Sequence, residues 1–369
     1  MGKKLKLGVV GCGGIANHKH FPAIGKYSDL CEITAFCDIL EERAVKACSE
    51  HGTKDAKAFT DYKELVALPD IDVVYVLTPN VSHCPIAVAA FEAGKHVMCE
   101  KPMAATAKDA EAMIAAWKKS GKKFTVAYQN RFRGEVQALK KACAAGELGD
   151  IYYAIAHAIR RRGVPTWGVF PNKALQGGGP LIDIGTHALD MTLWMMDNYE
   201  PASVSGSVFY KLGHLPQAMD GNAFGPWDPD TYEVEDSAFG MVKMKNGALI
   251  KVEASWAINL RESKESSTTL CGTLAGAEII AGMGQPCDML IMNRGHNGVL
   301  TEEKLSAGGG VAYFEGNSGD AGTIEAKQWL DAIINDTNPL VMPEQAYAVT
   351  RILDAIYRSA QSGKEVYFD

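Results

Sequence analysis

An α/β protein with an N-terminal doubly wound parallel sheet is predicted by three observations. Short apolar strands alternate with helical segments over the first 130 residues. The first strand, Leu5 to Val10, runs straight into Gly11-Cys12-Gly13-Gly14-Ile15-Ala16. The second, Glu32 to Cys37, ends in an acid, Asp38. Strand, glycine turn and helix in that order are what a dinucleotide pyrophosphate requires: a tight turn, close backbone approach and a helix start facing the anion. Gly11, Gly13, Gly14 and Ile15 are therefore expected at the cofactor, with a helix running to about Lys26. A carboxylate at Asp38 accepts from both ribose hydroxyls and repels a 2′-phosphate, which favours NAD over NADP. Arg43 stands in the charged helix start Glu41-Glu42-Arg43 and reads as a solvated residue.

The strands that follow end in polar residues at the same sheet edge, where ligands of open parallel sheets lie. Asp72 to Leu77 leads into Thr78-Pro79-Asn80-Val81-Ser82-His83. Thr78, Asn80 and His83 are placed to touch the cofactor, and Ser82 is placed to cap the next helix. His96 to Cys99 ends in Glu100-Lys101-Pro102, which brings an ammonium group to that edge. Phe124 to Tyr128 ends in Gln129-Asn130-Arg131-Phe132, and the change of domain is expected here. Residues 1–130 then form the nucleotide domain and residues 131–369 a second, substrate-binding domain.

Bulk properties narrow the partners. A net charge of −7 excludes a general nucleic-acid binder, and Arg160-Arg161-Arg162 is the densest basic run. A small-molecule ligand is expected. Nine cysteines without a C-x-x-C pair or a zinc-type cluster imply reduced thiols, no metal site and a cytoplasmic setting. No apolar run reaches membrane-spanning length, and the lysine-led N-terminus has too short an apolar stretch, broken by glycines, for a signal.

The second domain begins with a long strand, Ile151 to Ile159, followed by the three arginines and a loop, Gly163 to Trp167. Gly177-Gly178-Gly179-Pro180 then leads into an apolar helix on which Asp183, His187 and Asp190 share one face. Two readings of that face stand at this point: an imidazole poised as a general base between acids, or a satisfied core histidine on a braced helix. Further strands are expected at Ser203 to Tyr210, Ser237 to Lys245 and Ala248 to Trp256, the last two joined by a hairpin at Asn246-Gly247. His214 to Glu233 is a long loop rich in Pro, Gly and aromatics, read as a lid or a subunit contact. Helices near Thr323 to Asn335 and Glu344 to Ser362, and a short strand at Glu365 to Phe368, close the chain.

The glycine fingerprint, Glu100-Lys101-Pro102 and the Gly-Gly-Gly-Pro stretch with Asp183 and His187, occurring in this order, resemble the Gfo/Idh/MocA family of sugar and cyclitol oxidoreductases. The resemblance implies a C-terminal α/β domain built on a large open, mainly antiparallel sheet. It implies Lys101, Asp183 and His187 as catalytic and substrate-binding residues, with Asp190 structural. Glu100, Lys101 and Gln129 join the cofactor side, and Arg160 and Trp167 become candidate substrate contacts, although Trp167 packing under the sheet is the competing reading. A large sheet with one open face points to a homo-oligomer. The expected activity is reversible NAD-dependent oxidation of a secondary ring hydroxyl to a ketone, with a lean to C3 of a glucose-type sugar or glycoside. The alternatives are an inositol dehydrogenase, redox-neutral glycoside cleavage and a non-catalytic NAD-binding sensor.

Overall fold

A computed structural model describes residues 4–281, 289–305 and 320–369. The chain divides into two compact units, Met1–Gln129 with Ser318–Tyr347, and Asn130–Asn317 with Ala348–Asp369. The cut falls one residue before the expected boundary. Residues 318–347, which lie beyond the expected boundary at 130, cluster with the first compact unit. The cause is visible in the packing. Helix Ala321–Ile334 places Trp329 and Leu330, both fully buried, in one cluster with Leu7, Val9, Phe36, Val73 and Tyr75.

The first unit is built on six parallel strands: β1 Leu5–Val10, β2 Cys31–Cys37, β3 Lys57–Phe59, β4 Val73–Val76, β5 His96–Cys99 and β6 Phe124–Val126. Their order is β3-β2-β1-β4-β5-β6, so the sheet winds outward in both directions from β1 and β4. Val73 to Val76 are buried on both faces, as helix-covered parallel strands require. The register sets the site: Val10 pairs with Cys37 and Val76, Val76 with Cys99, and Cys99 with Val126. All five strands therefore finish level, and Gly11, Asp38, Thr78 and Lys101 emerge along one edge.

The second unit holds a nine-stranded sheet. Its strands are β7 Ile151–Ile159, β8 Pro201–Phe209, β9 Ser237–Met244, β10 Leu249–Ser255, β11 Lys264–Gly272, β12 Ala275–Ile280, β13 Met289–His296, β14 Val299–Leu305 and β15 Val366–Tyr367. The order is β14-β13-β12-β11-β7-β10-β9-β8-β15, antiparallel throughout except for the β7–β10 pair. The Asn246-Gly247 hairpin forms as expected, with Gly247 at φ 90° joining β9 to β10. One face of β7 is Ala154, Ala156 and Ala158, all fully buried. Such small side chains let helix Thr186–Met196 lie close to the sheet. The other face of the central strands carries Ile155, His157, Met241, Lys251 and Glu253, less deeply covered. There Glu253 accepts from His157 at 2.6 Å and pairs with Lys251 at 2.7 Å. Burial pushes the Glu253 carboxyl up, but those two partners outweigh it and hold it down at about 2.

Candidate functional site

In the first unit, the glycine turn is held from two sides. Gly11 has φ +97°, and a Cβ there would strike the Leu77 carbonyl, so only glycine fits between β1 and β4. Asp38, largely buried, accepts from the Cys12 N–H at 2.9 Å through Oδ2 and from the Leu40 N–H at 3.0 Å through Oδ1. Each carboxylate oxygen retains acceptor capacity for a ribose hydroxyl. Past that anchor the turn is open: nothing lies within 4 Å of a Cβ built on Gly13, and Gly14 and Ile15 are exposed. A π-helical turn, Ala16–His20, follows and continues into helix Phe21–Gly25. The anchored carboxylate, the crowded first glycine and the open backbone beyond it suit a dinucleotide.

Two expected cofactor residues, His83 and Glu100, take different roles, and an expected cap does not form. His83 is fully buried, with Nδ1 2.8 Å from the Pro102 carbonyl and Nε2 2.9 Å from the Thr78 carbonyl. It ties the loop after β4 to the loop after β5 and has no surface left for a cofactor. Burial pushes its pKa down, against the pull of the two carbonyls. Glu100 is likewise turned inward, on Lys19 Nζ at 2.9 Å, His20 Nε2 at 2.9 Å and the Lys101 N–H at 3.0 Å. Burial alone would raise its pKa, but the Lys19 and His20 charges and hydrogen bonds hold the carboxyl well below the usual range. Glu100 thus fixes the backbone of Lys101, and Lys19 extends the brace to Glu325 at 2.8 Å. Ser82 makes no capping bond; Asn80–Ser82 is instead a turn of 3-10 helix leading into helix His83–Glu92. Thr78, half-buried, and Asn80, nearly buried, stay at the carboxyl edge with Lys101, which is half-buried beside Pro102. Gln129 begins a 3-10 turn, Gln129–Phe132.

In the second unit, Gly177 at φ +83° ends helix Lys173–Gln176. A π-helical turn, Leu181–Gly185, then runs into helix Thr186–Met196. Such turns are frequent at functional sites, and this one carries Asp183. From Leu181 to Met195 every residue is buried except His187. Over that span the chain opens to its surroundings at one point, and that point is an imidazole. Asp183 accepts from the Trp256 indole N–H at 3.2 Å, with the indole itself fully buried. Asp190 faces a different partner: Arg131 grips it with Nε at 2.9 Å and Nη2 at 2.6 Å, both side chains lacking solvent. The two acids are separated by that grip: Asp183 is turned to Trp256 and Asp190 to Arg131.

The remaining expectations divide. Arg160 gives Nε and Nη2 to Glu265 at 2.8 and 2.5 Å and Nη1 to the Gly163 carbonyl at 3.1 Å. Three of its five donors are engaged, so it acts as a strut under the loop more than as a substrate clamp. Trp167 does not pack under the sheet; it is 52% exposed. It meets Phe224 edge-on at 4.8 Å and Phe170 at 5.9 Å, and Phe170 meets Trp256 at 6.3 Å. The aromatic series thus runs from Asp183's partner to the surface. The 214–233 loop is fastened to the segment before the helix. Thr166 Oγ1 donates to the Phe224 carbonyl at 2.6 Å, the Val164 N–H to Asn222 at 2.9 Å, and the Glu233 N–H to the Pro171 carbonyl at 3.0 Å. Trp227 and Tyr232 are buried within it. Sequence reasoning missed Trp256's bond to Asp183, and it missed Glu235 and Tyr357, which hold the helix start. The one signal for Glu235 is a pair of acids, Glu235-Asp236, directly before an apolar strand.

No group of three or more His, Cys, Asp or Glu suited to a metal occurs among the described residues. No helix among them is long and apolar enough to cross a membrane.

Comparison with known proteins places the chain in a family. Residues 5–128 match the oxidoreductase family with an NAD-binding Rossmann fold, and residues 140–368 match the C-terminal alpha/beta domain of the same family. The D-glucoside 3-dehydrogenase of Escherichia coli (strain K12) is 35% identical over 366 residues, 98% of this chain and 97% of that protein. An inositol 2-dehydrogenase of Salmonella typhimurium (strain LT2) is 37% identical over 203 residues, 54% of this chain and 57% of that one. The structure of a levoglucosan dehydrogenase in complex with NADH and L-sorbose superposes with a TM-score of 0.81 at 25% identity, covering 99% of both chains. The chain belongs to the Gfo/Idh/MocA oxidoreductase family.

Proposed function

We propose that this protein oxidises a secondary ring hydroxyl of a sugar or glycoside to a ketone, at C3 of a glucose-type ring, reversibly and with NAD in preference to NADP. The observation that carries the reading is that His187, one turn beyond Asp183, is the one residue from Leu181 to Met195 that is not buried. A buried helix has no structural use for an open imidazole, whereas a base must reach its proton. His187 takes the hydroxyl proton, and Asp183, steadied by Trp256, orients the imidazole or a neighbouring hydroxyl. Lys101, an ammonium whose backbone is fixed by Glu100, stabilises the negative charge that develops on the substrate oxygen. Gly11, Gly13, Gly14, Ile15, Asp38, Thr78, Asn80 and Gln129 hold the dinucleotide, which when bound supplies the hydride acceptor. The carboxylate of Asp38 disfavours a 2′-phosphate at its end of the dinucleotide.

A glycoside is favoured over a free cyclitol by full-length similarity to a D-glucoside 3-dehydrogenase and by the exposed Trp167–Phe224 pair, whose flat faces suit a pyranose or an aglycone. The test offers glucosides, free sugars and inositols with NAD and with NADP, following NADH by absorbance and the product by mass and NMR. A 3-keto glycoside with NAD as the better cofactor is expected. Equal turnover with NADP removes the role of Asp38. Faster oxidation of inositol makes the chain a cyclitol dehydrogenase, and glycoside cleavage without NADH release makes it a redox-neutral enzyme.

The free thiols of all eight described cysteines suit a cytoplasmic setting. A second copy covers the outer face of the nine-stranded sheet, where Phe209 and Met241 stand exposed beside half-buried Ile155 and Ile291. Light scattering is expected to give a mass of at least twice 39.7 kDa; a monomer at micromolar concentration rules that out.

A further inference from the structure

The start of the helix that bears Asp183 and His187 is held by side chains far away in sequence. Glu235, just before β9, is fully buried. Its Oε2 accepts from the Gly179 N–H at 2.9 Å, and its Oε1 accepts from the Leu181 N–H at 3.3 Å and from the Tyr357 hydroxyl at 2.7 Å. Pro180 has no N–H to satisfy, and the Asp183 N–H already bonds within the turn, to the Gly179 carbonyl at 3.0 Å. Two donors of the helix start, Gly179 and Leu181, therefore end on the Glu235 carboxylate, which the Tyr357 hydroxyl holds from its other side.

The same pair explains the glycines in front. A Cβ on Gly178 would strike the Tyr357 hydroxyl, and one on Gly179 would strike the Glu235 carbonyl. An ordinary cap, a serine or aspartate at the helix's own first residue, satisfies one or two donors but ties the helix to nothing. Here the helix start is fastened to the sheet through Glu235 and to helix Pro343–Ser362 through Tyr357. Burial pushes the Glu235 carboxyl up, and the bonds from Tyr357, Gly179 and Leu181 pull against it; negative charge at this end suits the helix dipole.

We propose that Glu235 and Tyr357 are positioning residues, which fix the helix start and thereby the places of Asp183 and His187. The proposal rests on the reading of His187 as the base. A displacement of about 1 Å at a reacting group costs on the order of 10²-fold in rate, so the pair acts on turnover without touching substrate.

Glu235→Gln keeps the shape and removes the charge; Tyr357→Phe removes one hydroxyl. Each is expected to lower kcat by about tenfold or more with KM within about threefold, because orientation and not affinity is lost. A second readout needs no substrate. The Trp256 indole N–H resonance, identified by its loss in Trp256→Phe, reports the bond to Asp183. It is expected to move upfield in both variants as that bond lengthens. An unmoved resonance in the folded variants overturns the proposal whatever the turnover, and so does turnover within about twofold of wild type. If Glu235→Gln fails to fold, Tyr357→Phe carries both measurements. A wild-type protein inactive on every ring alcohol would defeat the functional reading instead, and the resonance would still decide the positioning claim.

Discussion

His187→Asn is expected to lower kcat by about 10²- to 10⁴-fold, the range over which a positioned general base acts, while NADH binding stays intact. Asparagine keeps a polar tip at this half-buried position, which spares the packing of the buried residues of Thr186–Met196. A neutral imidazole accepts a proton and an imidazolium cannot, so the wild-type rate falls on the acid side as the base is protonated. In His187→Asn that acid limb should vanish along with most of the rate. The comparison with Lys101→Met separates the two roles. Loss of a charge that stabilises a developing alkoxide costs about 10²- to 10³-fold but leaves the acid limb in place. Steady-state rates across pH, with NADH affinity from fluorescence, check both. Retention of the acid limb in His187→Asn would assign the base elsewhere.

The contrast between these residues shows what a sequence makes legible. The nucleotide turn could be read because its constraint is local: Gly11 must adopt φ +97° against the Leu77 carbonyl, and few residues but glycine do so. The Asn246-Gly247 hairpin is local in the same sense. Strands β11 to β14 escaped because their sequences lack a clear alternating pattern. Lys264–Gly272 is largely Ser and Thr, and Val299–Leu305 is exposed along its whole length. Their strand state comes from pairing with β7 and with one another, which no window of sequence contains. The return of helix Ala321–Ile334 was hidden for a related reason: amphipathicity shows that a helix has a core face but not whose core it joins.

The candidate site follows the same rule. Asp183 and His187 can be grouped as candidates from sequence because they stand four positions apart on one helical face. Their supports cannot, since Trp256, Glu235 and Tyr357 come from other elements, at separations of 73 residues for Trp256 from Asp183 and 122 for Tyr357 from Glu235. His83 and Glu100 were placed at the right edge and given the wrong direction. Position along a strand fixes where a side chain starts, but only packing decides that both turn inward to brace the loops.

Arg131→Ala is expected to destabilise the second unit by about 3–5 kcal/mol, the cost of leaving a buried charge without its partner. Asp190 has no exposed surface, and both of its oxygens are engaged by the Arg131 fork at 2.9 and 2.6 Å. The guanidinium also lies 5.2 Å from the Trp194 ring, so its loss removes packing from the same helix. In a unit of this size each kcal/mol lowers the melting midpoint by about 2–4 °C, which calorimetry resolves easily. Asp190→Leu should cost a similar amount, because it strands the guanidinium instead. Arg131→Met with Asp190→Leu should regain most of the loss, since a desolvated ion pair roughly breaks even against a well-packed apolar pair. Additive losses in the double variant would mean that the two side chains are not coupled, and that the single losses come from packing and not from a stranded charge. The recovered double variant also bears on function. Asp190 stands three residues beyond His187 on the same helix, so a protein that melts like wild type yet turns over slowly would show that the ion pair sets the seat of the imidazole, whereas normal turnover would confine it to stability.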